Sequence, residues 1–215
     1  MRNKVIEAIE KYRIITIVRG IEKSNMIPLT QAMYDGGIRL LEVTYSANGS
    51  VSDEETASII EMLSNHFEGK MFIGAGTVLT EKQVELTKKA GGKFIISPDA
   101  NENVIKKTRE LDMVSMPGAF TATEIQAAYR TGADFVKMFP ITSVGTEYVK
   151  AVKAPLSHIR LIAVGGVDQH NMKDYLKAGI CGFGVGSNIT NKKMIAENDY
   201  VGITRLAREY VEALQ

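Results

Sequence analysis

Two charged residues stand in this chain where charge is costly. Lys137 lies in the run Asp134-Phe-Val-Lys-Met-Phe-Pro140, and Glu42 lies in Leu40-Leu-Glu-Val-Thr44. A charge flanked by apolar strand residues must be paired or neutralised. A lysine in such a setting has its pKa lowered, so that neutral amine is available near pH 7. A neutral amine attacks carbonyls and forms a Schiff base, and the iminium then withdraws electrons from the neighbouring carbon. Glu42 is the natural partner, because carbinolamine formation, dehydration and enamine formation each need a proton carrier. The competing reading is structural, in which the two residues form one ion pair that fixes the framework.

Glycine-rich turns give a second signal. Ala163-Val-Gly-Gly-Val167 and Phe183-Gly-Val-Gly-Ser-Asn188 let an anion approach the backbone N–H groups, and Ser187 can add a hydroxyl. Gly74-Ala-Gly-Thr-Val78 is a further point of close approach. His66, His158 and His170 show no ligand spacing, and Cys181 is the single cysteine. No metal site, internal disulfide or cofactor is therefore expected. The ten methionines are expected to fill gaps in the core.

These residues need a frame that brings them together. Apolar runs at residues 14–18, 40–44, 71–75, 93–97, 113–116, 135–139, 161–164 and 182–185 read as strands. Most lack strict alternation, as parallel strands covered on both faces do. Amphipathic stretches separate them, at 26–34, 53–65, 80–90, 101–111, 123–131, 146–154, 170–178 and 200–214. Several begin at a capping signal, such as Thr121-Ala-Thr-Glu124, and several end in glycine. A further helix is expected near residues 4–11. Eight βα units and an N-terminal helix predict an α/β fold, a (β/α)8 TIM barrel, as a single domain over residues 1–215. An open doubly wound sheet is the alternative, disfavoured by eight strands and no dinucleotide fingerprint.

A barrel enzyme sets its chemistry at the C-terminal ends of its strands. Those ends read Arg19, Glu42, Thr77, Pro98, Pro117, Lys137, Gly165-Gly166 and Gly186-Ser187. Lys93 opens its strand and is expected at the opposite face. The composition excludes other classes. Hydrophobic residues make up 45% and charged residues 24% of the chain, and the formal net charge is +1. That balance creates no strong field for nucleic acid or membrane. No apolar run spans a bilayer, and the N-terminus carries no signal-peptide pattern. A cytoplasmic protein is expected.

The segments Ile17-Val-Arg-Gly20, Leu41-Glu-Val-Thr44, Ile73-Gly-Ala-Gly-Thr-Val-Leu79, Ile96-Ser-Pro98, Pro117-Gly118, Phe135-Val-Lys-Met-Phe-Pro140, Ala163-Val-Gly-Gly-Val167 and Gly184-Val-Gly-Ser187 occur in the order of one family. The chain resembles the KHG/KDPG aldolases, which act on 2-keto-3-deoxy-6-phosphogluconate. The resemblance implies a metal-free barrel, typically trimeric, that cleaves a phosphorylated 2-keto-3-deoxy sugar acid to pyruvate and glyceraldehyde 3-phosphate. It also implies roles: Lys137 as the Schiff-base lysine, Glu42 as general acid and base, and Thr77 as a ligand of the pyruvyl carboxylate. Pro98 and Phe139 would pack around the pyruvyl group, and Gly165, Gly166, Gly186 and Ser187 would hold phosphate. Many members carry an arginine just after the glutamate. Here that stretch is Tyr45-Ser-Ala-Asn48, which resembles the branch acting on the galactonate epimer, and Arg19 is the candidate cation for the carboxylate.

A phosphosugar isomerase or epimerase is the nearest competing function, and a non-enzymatic phosphoester-binding protein the next. The first needs no nucleophilic amine, and the second has no reason to place Glu42 and Lys137 together. An iminium supplies the electron sink that a Lewis-acid metal would otherwise supply. Activity is accordingly expected to survive exhaustive chelation. Loss of turnover in EDTA, restored by a divalent ion, would contradict the Schiff-base reading.

Overall fold

The computed structural model describes residues 1–215. Nine parallel strand segments form one sheet: β1 (Ile14–Val18), β2 (Leu40–Thr44), β3 (Phe72–Gly76), β4 (Phe94–Ile96), β5 (Val114–Met116), β6 (Gly118–Ala119), β7 (Val136–Met138), β8 (Leu161–Val164) and β9 (Ile180–Val185). The order runs β5-β4-β3-β2-β1-β9-β8-β7-β6. Only Pro117 separates β5 from β6, so the two are halves of one strand and the sheet closes there. Proline has no N–H to give to the ladder. Its carbonyl still accepts from Lys137 N–H at 2.8 Å, which ties the closing strand to β7. Counted this way, the barrel has the expected eight strands in sequential order.

Helices follow the strands as the sequence pattern predicts: α2 (Lys23–Asp35), α3 (Asp53–His66), α4 (Glu81–Lys89), α5 (Glu102–Glu110), α6 (Ala122–Thr131), α7 (Gly145–Lys153), α8 (Met172–Lys177) and α10 (Tyr200–Glu212). The capping box at Thr121 and Glu124 forms as read from the sequence. Two short helices had no sequence expectation. A 3-10 turn, Ile141–Ser143, follows β7, and α9 (Lys192–Ala196), capped by Asn191, precedes α10. Five residues are too few for a helical period to register.

The N-terminal helix α1 (Arg2–Tyr12) closes the bottom of the barrel. Its Val5 and Ile9, both fully buried, pack in one cluster with Ile15, Leu40, Phe94, Ile96, Val114, Met116, Phe135 and Ile162. Alternation along the strands puts these side chains inside the ring. Residues two further on, Glu42 after Leu40 and Lys137 after Phe135, are therefore inside as well, one layer higher. The larger cluster lies between the ring and the outer helices.

The entry to β7 is pinned by charge. Arg2 donates to Asp134 from Nη2 at 2.7 Å and from Nε at 3.1 Å, Arg109 Nη1 donates at 3.0 Å, and Ser115 N–H at 3.0 Å. The Asp134 side chain is only 5% exposed. Removing one member of such a buried set leaves the others without their counter-charge. Asp134→Ala is expected to lower unfolding stability by about 3–5 kcal/mol, read by urea denaturation. A loss under about 1 kcal/mol, the range of a surface pair, would show that the cluster does not hold α1 to the ring.

Candidate active site

The barrel's period-two geometry builds the site directly on the apolar plug. Glu42 pairs in register with Ile17 on β1 and Gly74 on β3, and Lys137 with Gly118 on β6 and Ile162 on β8. Glu42 is 2% exposed and Lys137 8%. No salt bridge joins them, and Glu42 Oε2 is buried without a hydrogen-bond partner. They are thus neighbours in one field but not a closed ion pair.

Burial dominates the electrostatics of both groups. It pushes the Glu42 carboxyl from 4.5 up to about 7, against the attraction of Lys137 and Arg19. Burial also lowers the Lys137 amine, opposed by Glu42 and assisted by Arg19. Both shifts favour the neutral forms, as desolvation must. Phe139, two residues beyond Lys137 and 43% exposed, sets its ring 4.8 Å from Nζ and forms the amine's outer wall.

Room for the Glu42 carboxyl comes from a missing side chain. A Cβ at Gly76 would run into Glu42 Oε1 and Cδ. Gly76 had no assigned role in the sequence reading beyond close approach. Its signal was there in the alternation of Gly74 and Gly76 on the strand beside Glu42.

Arg19 follows β1 directly and reaches over the end of β2. Its Nη2 donates to Thr77 Oγ1 at 3.1 Å. It makes no salt bridge to Glu42 or to α1, so it stands as a free cation at the mouth. Thr77 has φ +54°. A β-branched residue in that region is strained by roughly 1–2 kcal/mol, and such strain is retained where surrounding structure demands it. Pro98 lies exposed after β4, and its carbonyl abuts Gly118, where a Cβ would not fit.

The glycine turns lie at the ends of β8 and β9. Gly165 and Gly166 have φ +94° and +76°, a path L side chains rarely take. Their carbonyls are held from behind, by Thr142 Oγ1 at 3.1 Å and Asn171 Nδ2 at 3.0 Å. The N–H groups of Gly165, Gly166, Gly186 and Ser187 meet no acceptor in the chain. Free donors of this kind on adjacent strand ends are the chemistry an anion needs. Thr142 and Asn171 were not foreseen, since residues that brace a turn from behind leave no local motif. No group of three or more His, Cys, Asp or Glu side chains is placed to hold a metal.

A closed parallel barrel with a desolvated lysine, a desolvated carboxyl and unpaired backbone donors at its C-terminal mouth has the parts of a carbonyl-active barrel enzyme. A family model for KDPG and KHG aldolase matches residues 5–206, and the chain belongs to that family. The 2-dehydro-3-deoxy-6-phosphogalactonate aldolase of Escherichia coli K12 is 32% identical over 206 residues, 95% of this chain and 98% of that one. The 2-dehydro-3-deoxy-phosphogluconate aldolase of Haemophilus influenzae is 29% identical over 216 residues, 99% of this chain and 97% of that one. A KDPG aldolase from Legionella pneumophila, solved with pyruvate captured as a covalent carbinolamine, is 27% identical, with a TM-score of 0.84 over 94% of this chain and 96% of that one.

The Glu42 shift has a consequence for stability. An acid whose folded pKa exceeds its unfolded pKa destabilises the native state when it must ionise there. Nothing is lost below about pH 4.5, and the penalty grows as pH rises from there to about 7. Glu42→Gln removes that titration. The stability difference between variant and wild type is expected to move in the variant's favour by roughly 1–3 kcal/mol between the two ends of this range. Urea unfolding across the pH range measures it, and a difference that stays flat with pH would overturn the assignment.

Proposed function

We propose that the chain, as one barrel domain, is a class I aldolase that cleaves 2-keto-3-deoxy-6-phosphogluconate or its galactonate epimer. The observation that carries this reading is a buried amine and a buried carboxyl, each driven toward neutrality, on the same interior layer with no ion pair between them. A structural pair would be closed. This one leaves Lys137 Nζ free to attack and Glu42 Oε2 free to exchange a proton.

In the forward direction Lys137 Nζ adds to the C2 carbonyl to give a carbinolamine. Glu42 delivers a proton to the departing hydroxyl, which leaves as water and yields the iminium. Glu42, now ionised, takes the proton from the C4 hydroxyl. The C3–C4 electrons flow into the iminium, and glyceraldehyde 3-phosphate departs with a new C=O bond. Glu42 returns the proton to C3 of the enamine, and water hydrolyses the iminium to pyruvate and free lysine. A carboxyl held at about 7 is suited to both directions of transfer near neutral pH.

The remaining residues serve binding. Arg19 and Thr77 take the pyruvyl carboxylate, Arg19 by charge-assisted hydrogen bonds that the neutral donors cannot match. Phe139 and Pro98 flank the pyruvyl group, and the N–H groups of Gly165, Gly166, Gly186 and Ser187 take the phosphate. The absence of an arginine in Tyr45–Asn48 resembles the galactonate branch, and Arg19 is the cation left for the carboxylate. The family resemblance supports a homotrimer and a cytoplasmic setting, and no helix is long and apolar enough to cross a membrane.

Incubation with pyruvate and borohydride, followed by digestion, is expected to leave a reduced adduct on the peptide carrying Lys137. Lys137→Ala should lose both the adduct and turnover while its circular dichroism stays native. An adduct on another lysine, or substantial aldol cleavage by Lys137→Ala, would overturn the mechanism. Comparing kcat/KM on the two epimers in the same preparation decides the branch.

A further inference from the structure

The barrel has a second concave surface at the end away from Lys137. A cleft of about 630 Å³ opens between α1 and the residues that enter β2, β3 and β4. This volume falls within the usual span of small-molecule sites. Four cationic side chains line it from four separate segments: Lys4 on α1, Arg39 before β2, Lys70 before β3 and Lys93 before β4. None of them is in a salt bridge, although the chain forms eleven ion pairs, one of them between the Met1 N-terminus at this cleft and Asp112. Glu68 is the only acidic residue on the lining. Four cationic side chains on one lining with a single acidic residue leave an excess of positive charge that an anion would offset.

Arg39 shows that the arrangement is built rather than incidental. Its Nη1 donates to the carbonyls of Tyr34 at 2.9 Å and Ile38 at 2.8 Å. Its guanidinium lies over the Tyr34 ring, 4.2 Å from the centroid. The main chain thus fixes one nitrogen and the ring fixes the plane, while Nε and Nη2 have no acceptor in the chain. A guanidinium held in place loses little freedom on meeting an anion.

We propose that this cleft binds a compact polyanion, a small molecule carrying two or more phosphate or carboxylate charges, at a site separate from the catalytic mouth. The formal net charge of +1 argues against a long nucleic acid, which would need an extended basic surface. The four cations line one small cleft instead. α1 contributes Lys4 to the cleft and Val5 and Ile9 to the barrel plug. A bound anion would therefore tie the plug helix to three strand entries and raise the unfolding temperature by linkage.

The test is an amide NMR titration of the full chain with inorganic pyrophosphate, and with citrate in parallel to separate phosphate from carboxylate ligands. Saturable, salt-sensitive shifts at Gly69 and Gly91 are expected with at least one probe. Lys70→Glu/Lys93→Glu should weaken them at least about tenfold, the effect of losing one or more charge-assisted bonds. Lys70→Ala/Lys93→Ala is the milder variant should charge reversal disturb the fold, with the same expectation in direction. Aldol kcat/KM should be unchanged in both. Shifts confined to Gly165, Gly166 and Ser187 would place the anion in the catalytic nest alone and overturn the proposal. Shifts at Gly69 and Gly91 that persist undiminished in both double variants would overturn it as well.

Discussion

Taking Lys137 and Glu42 out of water together is the constraint around which the barrel is arranged. Either charge alone in an apolar ring would carry a desolvation penalty of several kcal/mol. A tight ion pair would reduce that penalty, but it would also hold both groups in their charged forms. The barrel takes a middle course. It keeps the two on one interior layer, close enough to lower each other's shift and not in contact. An amine and a carboxyl that both drift toward neutrality are what carbonyl addition followed by proton transfer requires. In the proposed mechanism, reactivity follows from incomplete pairing rather than from an unusual functional group.

That layer depends on what lies beneath it. α1 and the ring of Ile15, Leu40, Phe94, Val114, Phe135 and Ile162 fill the lower half of the barrel and exclude water from below. Above, side-chain volume is withdrawn: Gly76 stands where a methyl group would strike the Glu42 carboxyl. Desolvation from one side and space on the other are set by neighbouring positions on the same strands. The Asp134 cluster fixes where β7 begins, and with it the height at which Lys137 emerges.

Much of this was legible in the sequence because it is periodic or chemically conspicuous. All eight strands and their order followed from apolar runs separated by helical patterns. Lys137 and Glu42 stood out because charge inside an apolar run is rare. Residues that act through shape or from behind were not legible. Gly76 reads like any other strand glycine until its neighbour across the sheet is known. Thr142 and Asn171 hold turn carbonyls from 23 and 5 residues away in sequence. The split of the fifth strand at Pro117 was foreshadowed by the proline itself, yet its role as the closing acceptor for Lys137 N–H is a property of the ring.

Thr77 shows how two polar side chains are fixed at the mouth. Glycine would take φ +54° with less strain, and a threonine there requires compensation. Its hydroxyl accepts from Arg19 Nη2 at 3.1 Å, a contact that spans β2 and places a cation and a hydroxyl side by side at the mouth. Without that contact Arg19 would be an exposed side chain with many rotamers. With it, the guanidinium is held in one arrangement, and under the proposed function less conformational entropy would be lost on binding a carboxylate. The same field holds down the Glu42 pKa and further lowers that of Lys137. Arg19 therefore acts on both buried groups: its field favours the neutral Lys137 amine and tempers the rise of the Glu42 carboxyl.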